Sequence, residues 1–336
     1  MDKKCRIGLI GLGFIGGLHA RCIAEGANTE LVAVADLNEK LANEVAELYG
    51  CKVYKDYNEM IAKEELDAVD ICVPEDFHEA VACDVANAKK DFIIEKPLAK
   101  TYAGCKQITD AVKVNGVRMM VAHVMKFDPR YAELKDSIRK GELGEITSMN
   151  FKCGNPVFTA NRLKGKISFF YYLGIHDLEI IMDYNLPAKP VRVYAQGSSK
   201  KNAHMNDLDT AQTVITFDNG SIATFQVGWA YPNNSAMGIL RESEVIGTKG
   251  VGDVRISDQG IRVMTEEAVS YPDTLHWPEY NGKIQGDLPA ELDHFAVATM
   301  EGKPYIVGDV APVYACAVAE AALKSIEINA PVELKL

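Results

Sequence analysis

The stretch that decides the fold is C-R-I-G-L-I-G-L-G-F-I-G-G-L-H-A-R-C-I-A-E, residues 5–25. Its first six residues form a short apolar run, which predicts a buried strand. Its last twelve residues have helical spacing and stop before Gly26, a residue that favours the end of a helix. Between the two lie Gly11, Gly13 and Gly16, so the segment predicts a strand, a glycine-rich turn and a helix.

The same alternation of strand and helix continues to about residue 123. Further strands are predicted at 31–35, 53–54, 68–73, 92–95 and 118–123, and further helices at 38–49, 77–88 and 102–114. Apolar strands without in–out alternation are buried on both faces, and right-handed crossovers make their sheet parallel. Residues 1–123 are therefore predicted to form a doubly wound α/β domain of the Rossmann type.

The pattern changes after about residue 124. A helix is predicted at 129–140 and another at 170–183, and most of the remaining apolar segments alternate like strands. Two of these strands are joined by a tight Asp218-Asn219-Gly220 turn, which is typical of a hairpin. Helices follow at 288–300 and 310–328. Residues 124–336 are therefore predicted to form a second, α+β domain with a largely antiparallel sheet, with the option that helix 310–328 packs back on the first domain.

The three glycines of the first turn have separate roles in binding a dinucleotide. The first allows the tight turn, the second lets a pyrophosphate approach the backbone, and the third lets the helix pack on the strand. The helix N-terminus adds free N–H groups and a partial positive charge. We therefore predict that Gly11, Gly13 and Gly16 bind a dinucleotide together with Phe14 and Ile15 at the start of the helix.

Asp36 ends the second predicted strand, where a carboxylate can accept hydrogen bonds from both hydroxyls of the cofactor ribose. Its charge repels the 2′-phosphate of NADP(H), and neither Leu37 nor Asn38 supplies a compensating cation. NAD(H) is therefore predicted in preference to NADP(H). The alternative for Asp36 is an ordinary acid at the end of a strand.

Composition limits the partners and the location. The net charge is −11 without a basic cluster to offset it, so no nucleic acid is expected, and no long apolar segment suits a membrane. The eight cysteines contain no C-x-x-C pair and the histidines show no metal-ligand spacing, so we expect reduced thiols and no metal site. The basic N-terminus before an apolar run resembles a signal peptide, but the glycines fit a phosphate loop better, so a cytoplasmic location is expected.

Glu95-Lys96-Pro97 follows the fifth predicted strand. Ligands of doubly wound sheets lie beyond the carboxyl ends of the strands, so Lys96 is expected near the nicotinamide end of the dinucleotide. A lysine beside a positively charged ring has its charged form disfavoured and can take a proton from a substrate hydroxyl. From spacing alone, a surface lysine after a strand is the commoner interpretation.

His176 lies in the segment Y-Y-L-G-I-H-D-L-E-I-I-M-D, residues 171–183. Leu173, Ile180 and Ile181 would form a stripe that faces the core, and His176 falls at one edge of it. A neutral imidazole there could bind a substrate hydroxyl and relay its proton. A core or capping histidine explains the same pattern, and the residues alone do not decide between the two.

Several segments together resemble the glucose–fructose oxidoreductase / inositol dehydrogenase / MocA (Gfo/Idh/MocA) family over nearly the whole chain. The most specific is E-K-P-L-A at 95–99, combined with G-I-H-D at 174–177. The other segments are the glycine loop with Asp36, D-A-V-D-I-C-V-P at 67–74 followed by His78, F-D-P-R-Y at 127–131, and G-E-L-G-E-I at 141–146.

The resemblance implies reversible oxidation of a secondary hydroxyl on a sugar, a polyol or a related small molecule. It implies an open, mostly antiparallel sheet in the second domain, whose outer face forms homodimers or homotetramers. It also implies roles for single residues: Lys96 as a catalytic residue with His176 as its partner, a nicotinamide pocket lined by Val73 and Pro74, a cofactor site that includes His78 and Glu95, and a cis peptide before Pro97.

One position departs from the family pattern. Many dehydrogenases of the family carry Asp four residues before the histidine, where this chain has Tyr172 beside Tyr171. A phenol donates or accepts a hydrogen bond but is neutral at pH 7. Three consequences are open: Tyr172 takes over a proton-relay role in catalysis, it reshapes the pocket for another substrate, or the protein is catalytically weak.

Three functions are consistent with these residues. The first is an NAD-dependent dehydrogenase of sugars or inositol-like polyols. The second keeps the cofactor but uses transient oxidation to enable elimination or glycoside cleavage without net cofactor turnover, and Tyr172 motivates it. The third is a non-catalytic NAD(H)-binding sensor, although Lys96 and His176 together argue against it.

Overall fold

The chain forms two compact units, each built around its own sheet. The computed structural model describes residues 3–205, 207–235, 238–256, 260–267 and 269–336. The first unit comprises Met1–Asp128 and Leu275–Val313, and the second comprises Pro129–Thr274 and Tyr314–Leu336. None of the helices in the described ranges combines the length and the hydrophobicity that a membrane span requires.

The first unit contains a six-stranded parallel sheet with the strand order β3-β2-β1-β4-β5-β6. This order is that of a doubly wound fold, and it confirms the predicted Rossmann-type topology. The chain reverses its direction of winding between β1 and β4, and ligands of such sheets bind at that point. The strands are β1 (Cys5–Ile10), β2 (Thr29–Ala35), β3 (Lys52–Tyr54), β4 (Ala68–Ile71), β5 (Asp91–Glu95) and β6 (Met119–Ala122).

Helices connect these strands. Four of them begin and end within three residues of the predicted positions, and the fifth, α3 (Tyr57–Lys63), was not predicted. They are α1 (Phe14–Glu25), α2 (Glu39–Tyr49), α3 (Tyr57–Lys63), α4 (His78–Asn87) and α5 (Tyr102–Asn115). Helix α3 is too short for its apolar period to stand out. Its capping residue was the available signal, since the side chain of Asp56 accepts a hydrogen bond from the backbone N–H of Asn58.

The second unit contains a seven-stranded sheet in which β10 runs parallel to β7 and every other neighbouring pair is antiparallel. This mixed sheet agrees with the predicted α+β architecture. Helices α6 (Pro129–Arg139), α7 (Val157–Leu163) and α8 (Ile175–Asn185) belong to this unit. The strands are β7 (Ile146–Pro156), β8 (Pro190–Ser198), β9 (Thr210–Phe217), β10 (Ile222–Tyr231), β11 (Leu240–Gly247), β12 (Val251–Arg255) and, last in the chain, β17 (Val332–Glu333).

Two local features of this unit bear on the prediction. The hairpin is confirmed, because β9 and β10 pair antiparallel across a turn in which Gly220 has a φ of +85°. The single helix predicted at 170–183 is wrong in its first turn, because Phe170–Gly174 is a π-helical turn and α8 follows it. Gly174 lies against β10, where a Cβ atom would come within 2.9 Å of the Phe225 ring. A glycine is therefore required at this close approach.

Two further short hairpins and two further helices lie in the described part of the chain. The hairpins are β13 (Val263–Met264) with β14 (Val269–Ser270), and β15 (Glu279–Tyr280) with β16 (Lys283–Ile284). The helices are α9 (Asp287–Glu301) and α10 (Val310–Ile328).

The segment that packs back on the first unit is residues 275–313, with helix α9, and not the expected helix 310–328. Helix α9 packs on α1 and β1 and buries Leu288, Leu292 and Phe295, so residues 275–313 belong with the Rossmann sheet. Most of α10, by contrast, belongs to the second unit. There the hydroxyl of Ser325 accepts a hydrogen bond of 2.9 Å from the backbone N–H of Ala195 on β8. Apolar periodicity predicts that α9 has a buried face, but it does not say which sheet that face covers.

Candidate active site

The loop between β1 and α1 has the geometry that each glycine was expected to provide. Gly11 has a φ of +91°, and a Cβ atom there would lie 2.7 Å from the carbonyl oxygen of Cys72. A Cβ atom on Gly16 would lie 2.1 Å from the carbonyl oxygen of Gly11. Gly13, in contrast, has no atom within 4 Å of such a Cβ, and no side chain caps the helix that starts after it. The open face of the loop is therefore at Gly13, beside the N-terminus of α1.

Asp36 is fixed beside this loop by two backbone amides. One carboxylate oxygen accepts a hydrogen bond of 2.7 Å from Leu12 N–H, and the other accepts one of 2.7 Å from Asn38 N–H. The carboxylate is partly exposed, and Leu37 beside it is 83% exposed. The acid at the end of β2 thus has a set orientation next to the glycine loop.

His78 has a different place from that expected of a cofactor-binding side chain. Its ring is buried, with Nδ1 2.8 Å from the carbonyl oxygen of Pro97 and Nε2 3.0 Å from that of Val73. It therefore braces the loop after β4, which carries Val73 and Pro74, against the loop after β5, which carries Lys96. This bracing role has no sequence signal, because it depends on two carbonyl groups from separate loops.

Lys96 directly follows β5, at the carboxyl edge of the sheet that also carries the glycine loop. The Lys96–Pro97 peptide is cis, as the family resemblance implied. The backbone N–H of Lys96 donates a 3.0 Å hydrogen bond to Oε2 of Glu95. Both residues belong to the first unit, and Glu95 is buried.

His123 lies after β6 and is a residue that the sequence pattern did not single out. Its ring is fully buried, and burial together with the positive charges of Lys126 and Lys96 holds the pKa of His123 well below its ordinary value. The imidazole is therefore neutral at neutral pH. Because the charge of Lys96 affects its pKa, His123 lies in the neighbourhood of that lysine.

The second unit contributes Tyr172 and His176, four residues apart on the continuous π-helical and α-helical segment. The phenol oxygen of Tyr172 accepts a hydrogen bond from Arg162, whose guanidinium carbon lies 5.9 Å from the centre of the phenol ring. The ring of Tyr172 also lies 6.4 Å from that of the fully buried Trp229. Arg162 therefore fixes the position of the Tyr172 side chain, which occupies the place where many family members have an Asp carboxylate.

His176 is held by the buried start of α8. The neighbouring Asp177 pairs with Arg241, and Arg241 also donates a 3.1 Å hydrogen bond to the carbonyl oxygen of Leu173. Burial raises the pKa of Asp177 although the guanidinium beside it acts in the opposite direction. The Asp177–Arg241 pair joins α8 to β11, a partner that the sequence could not reveal because it lies 64 residues away.

The structure brings the predicted cofactor residues together at one edge of the parallel sheet, since they follow β1, β2, β4 and β5. Tyr172 and His176 lie together on one segment of the second unit, and their approach to Lys96 stays a prediction.

Among the described residues, His19, Asp70 and Cys72 have possible metal-ligand atoms within 4.8 Å of one another. Their spacing along the chain gave no such signal.

Comparison with known proteins identifies the two units. Residues 5–123 match the model of the Gfo/Idh/MocA oxidoreductase family with an NAD-binding Rossmann fold, and residues 131–252 match a Gfo/Idh/MocA C-terminal domain. The chain is 29% identical to the scyllo-inositol 2-dehydrogenase (NAD(+)) of Bacillus subtilis (strain 168), over 99% of this chain and 97% of that protein.

Solved structures show the same fold. The crystal structure of myo-inositol 2-dehydrogenase from Lactobacillus plantarum has a TM-score of 0.83 at 23% identity, covering 99% of this chain and 100% of that one. The structure of scyllo-inositol dehydrogenase from Lactobacillus casei with bound NAD(H) and scyllo-inositol has a TM-score of 0.84 at 20% identity, covering 98% and 99%. With the two family models and the glycine loop of its first sheet, this chain belongs to the Gfo/Idh/MocA family of NAD-dependent oxidoreductases.

Proposed function

We propose that the protein is a dehydrogenase that uses NAD to oxidise, reversibly, a secondary hydroxyl of a cyclic polyol of the inositol kind. The observation that carries the proposal is the position of Lys96, directly after β5 on the sheet whose β1 turn is the open glycine loop. The polyol class is supported by the relatives, because the scyllo-inositol 2-dehydrogenase of Bacillus subtilis matches over almost the full length of both chains.

The first unit suits a dinucleotide. A Cβ atom at Gly11 or Gly16 would collide with the backbone, whereas the space at Gly13 is open to a pyrophosphate. Bound NAD supplies the hydride acceptor. Lys96 takes the proton of the substrate hydroxyl, and the backbone hydrogen bond to Glu95 holds the lysine segment in place during that transfer.

NAD is preferred to NADP because of Asp36. Its carboxylate is already oriented by Leu12 and Asn38, so accepting the ribose hydroxyls requires no rearrangement of the loop. A 2′-phosphate at the same place would meet an uncompensated negative charge, since the next residue is Leu37.

His176 and Tyr172 serve the substrate. Four residues apart on one helical segment, the two side chains can engage one hydroxyl-bearing ring together. The phenol oxygen of Tyr172 accepts from Arg162 and keeps its own O–H to donate, so it orients the polyol instead of removing a proton. In this proposal His176 binds and orients the reacting hydroxyl, and Lys96 takes its proton.

The exposed face of the seven-stranded sheet is the surface on which copies of the chain associate. Its side chains form hydrogen bonds across strands, with Gln212 donating to Gln226 at 2.9 Å and Thr224 donating to Asn150 at 2.7 Å. The opposite face carries buried apolar side chains such as Phe225. The protein acts as a homodimer or homotetramer in the cytoplasm, where a reducing environment suits its eight free cysteines.

A panel of inositols, sugars and sugar acids tests the proposal with one pair of readouts, NADH and oxidised product. A dehydrogenase forms both in equal amounts with at least one inositol. Product without net NADH would instead indicate transient oxidation followed by elimination or glycoside cleavage. Tight binding of NAD without formation of any product would contradict the dehydrogenase proposal and favour a non-catalytic NAD(H)-binding sensor.

A further inference from the structure

A buried cluster of charged side chains lies at the inner side of the glycine loop and of the lysine segment. It contains His19 from α1, Asp70 from β4, Glu95 from β5 and Glu291 from α9, all in the first unit. His19, Asp70 and Glu291 have no exposed surface, and Glu95 has little. Charged groups are rarely buried in this number without a function or a strict pairing scheme.

The distances define His19 as the centre of the cluster. Its Nδ1 lies 2.8 Å from Oδ2 of Asp70, and its Nε2 lies 3.4 Å from Oε1 of Glu95. The first distance is that of a hydrogen bond, and the second is that of an ion pair. The thiol of Cys72 lies 3.4 Å from both the imidazole Nδ1 and Oδ1 of Asp70.

This geometry favours a doubly protonated ring. Nε2 forms no hydrogen bond in this arrangement and meets Glu95 only at ion-pair distance. A neutral imidazole donates from one nitrogen only, and ionised carboxylates only accept, so a second proton on the ring suits the carboxylate beside Nε2. Burial alone would lower the pKa of His19, whereas the carboxylate of Asp70 beside Nδ1 raises it above its ordinary value. Burial also raises the pKa of Glu95, yet His19 and Lys96 together hold it below the ordinary value.

Glu291 completes the cluster as a neutral acid. Neither of its carboxylate oxygens has a hydrogen-bond partner among the described residues. Burial, and after it the negative charge of Glu95, raises the pKa of Glu291 well above its ordinary value. The cluster then holds one imidazolium, the ionised Glu95, the Asp70 carboxyl and one proton on Glu291.

We propose that His19 is a positioning residue for proton transfer at Lys96, acting as a buried imidazolium that joins the dinucleotide helix α1 to the lysine segment through Glu95. One oxygen of Glu95 faces His19, and the other accepts the backbone N–H of Lys96. The helix whose N-terminus faces the cofactor phosphates therefore also sets the orientation of the proton acceptor. This inference rests on the proposed function.

The charged and titratable groups around His19 come from every element packed against it. They are Cys22 on α1, Asp70 and Cys72 at β4, Glu95 and Lys96 at β5, and Asp287 and Glu291 on α9. Burial keeps Cys72 a thiol, since it raises the pKa of that group above its ordinary value.

The test compares wild type with His19→Gln and uses His294→Gln as the matched control. His294 accepts the N–H of Ile306 at 2.9 Å, so its loss tests a general drop in stability without touching the cluster. Gln carries no charge, so we expect His19→Gln to lower kcat about 100-fold. We expect little change in the Kd for NAD and a larger isotope effect with a deuterated polyol.

An unchanged kcat in folded His19→Gln, or the same loss in His294→Gln, would overturn the inference. A second readout needs neither activity nor a variant that folds: nitrogen-15 NMR of histidine-labelled wild type at pH 8. Two protonated ring nitrogens on His19 support the proposal, and a neutral ring overturns it. Stoichiometric bound metal would also overturn it, because a cation would replace those protons. If wild type oxidises no polyol, the proposed function fails, while the NMR result still decides the state of the ring.

Discussion

The carboxylate of Asp36 accepts the backbone N–H of Leu12 at 2.7 Å, which ties the end of β2 to the glycine loop. Removing the charge should therefore affect both cofactor choice and the loop. We expect Asp36→Ser to raise the KM for NAD about 10- to 100-fold, the equivalent of one hydrogen bond to a charged group. The same change should lower the KM for NADP.

Asp36→Asn is the matched control, because it keeps the shape and one acceptor oxygen while it removes the charge. Steady-state kinetics with both cofactors give the ratio of kcat/KM for NAD to that for NADP. We expect the ratio to fall in both variants, and further in the serine variant. A ratio that stays at the wild-type value would exclude Asp36 as the selector.

His78 braces two loops, so its loss should weaken both stability and catalysis. His78→Ala leaves the carbonyl groups of Val73 and Pro97 without their imidazole partner, which costs about 1–3 kcal/mol of unfolding free energy. We also expect a lower kcat, because the second loop carries Lys96. Urea denaturation and steady-state kinetics measure the two effects. A loss of stability with an unchanged kcat would show that the brace does not position the lysine.

The raised pKa of Glu291 predicts that the free energy of unfolding decreases as pH rises. Its pKa is raised in the folded protein, so the unfolded chain releases its proton first and stability falls as pH rises above about 4.5. Glu291→Gln removes that loss. The advantage of the variant over wild type should grow by about 1.4 kcal/mol per pH unit until the folded pKa is reached. Glu301→Gln, at the exposed end of the same helix, should show no such trend.

Chemical denaturation of the two variants and wild type at a series of pH values measures this difference. A constant difference between Glu291→Gln and wild type from pH 5 to pH 8 would mean that Glu291 is ionised in the folded protein. The protonation scheme of the buried cluster would then be wrong.

The polar face of the large sheet predicts the effect of an added charge on assembly. Thr224 lies near the middle of that face, on β10. Thr224→Arg should convert the oligomer to a monomer, because several copies of one new cation would meet across a symmetric contact. Thr109→Arg on α5 serves as the control. Light scattering after size-exclusion chromatography gives the masses, and an unchanged mass for Thr224→Arg would place the contact elsewhere.

The sequence predicted best those features that depend on neighbours along the chain. The bounds of β1 and α1 follow from local apolar periodicity and from Gly11 and Gly16, where a Cβ atom would collide with the backbone. The hairpin at Asp218-Asn219-Gly220 is a local turn signal of the same kind. The cis peptide at Pro97, in contrast, was implied by family resemblance alone.

Features that depend on distant partners were missed. The Asp177–Arg241 pair spans 64 residues, and the cluster around His19 draws on four separate elements. Neither has a pattern along the chain, since each residue taken alone looks like an ordinary polar position. The π-helical turn at Phe170–Gly174 was missed because apolar spacing does not distinguish it from the first turn of an α-helix.

The central claim is that Lys96 accepts the substrate proton, and the activity of Lys96→Met tests it most directly. Methionine keeps much of the length of the side chain and removes the ammonium group. With the inositol that wild type oxidises best, the account predicts a kcat reduced about 10²- to 10⁴-fold while the Kd for NAD changes little. NADH formation by the folded variant at the wild-type rate would contradict it.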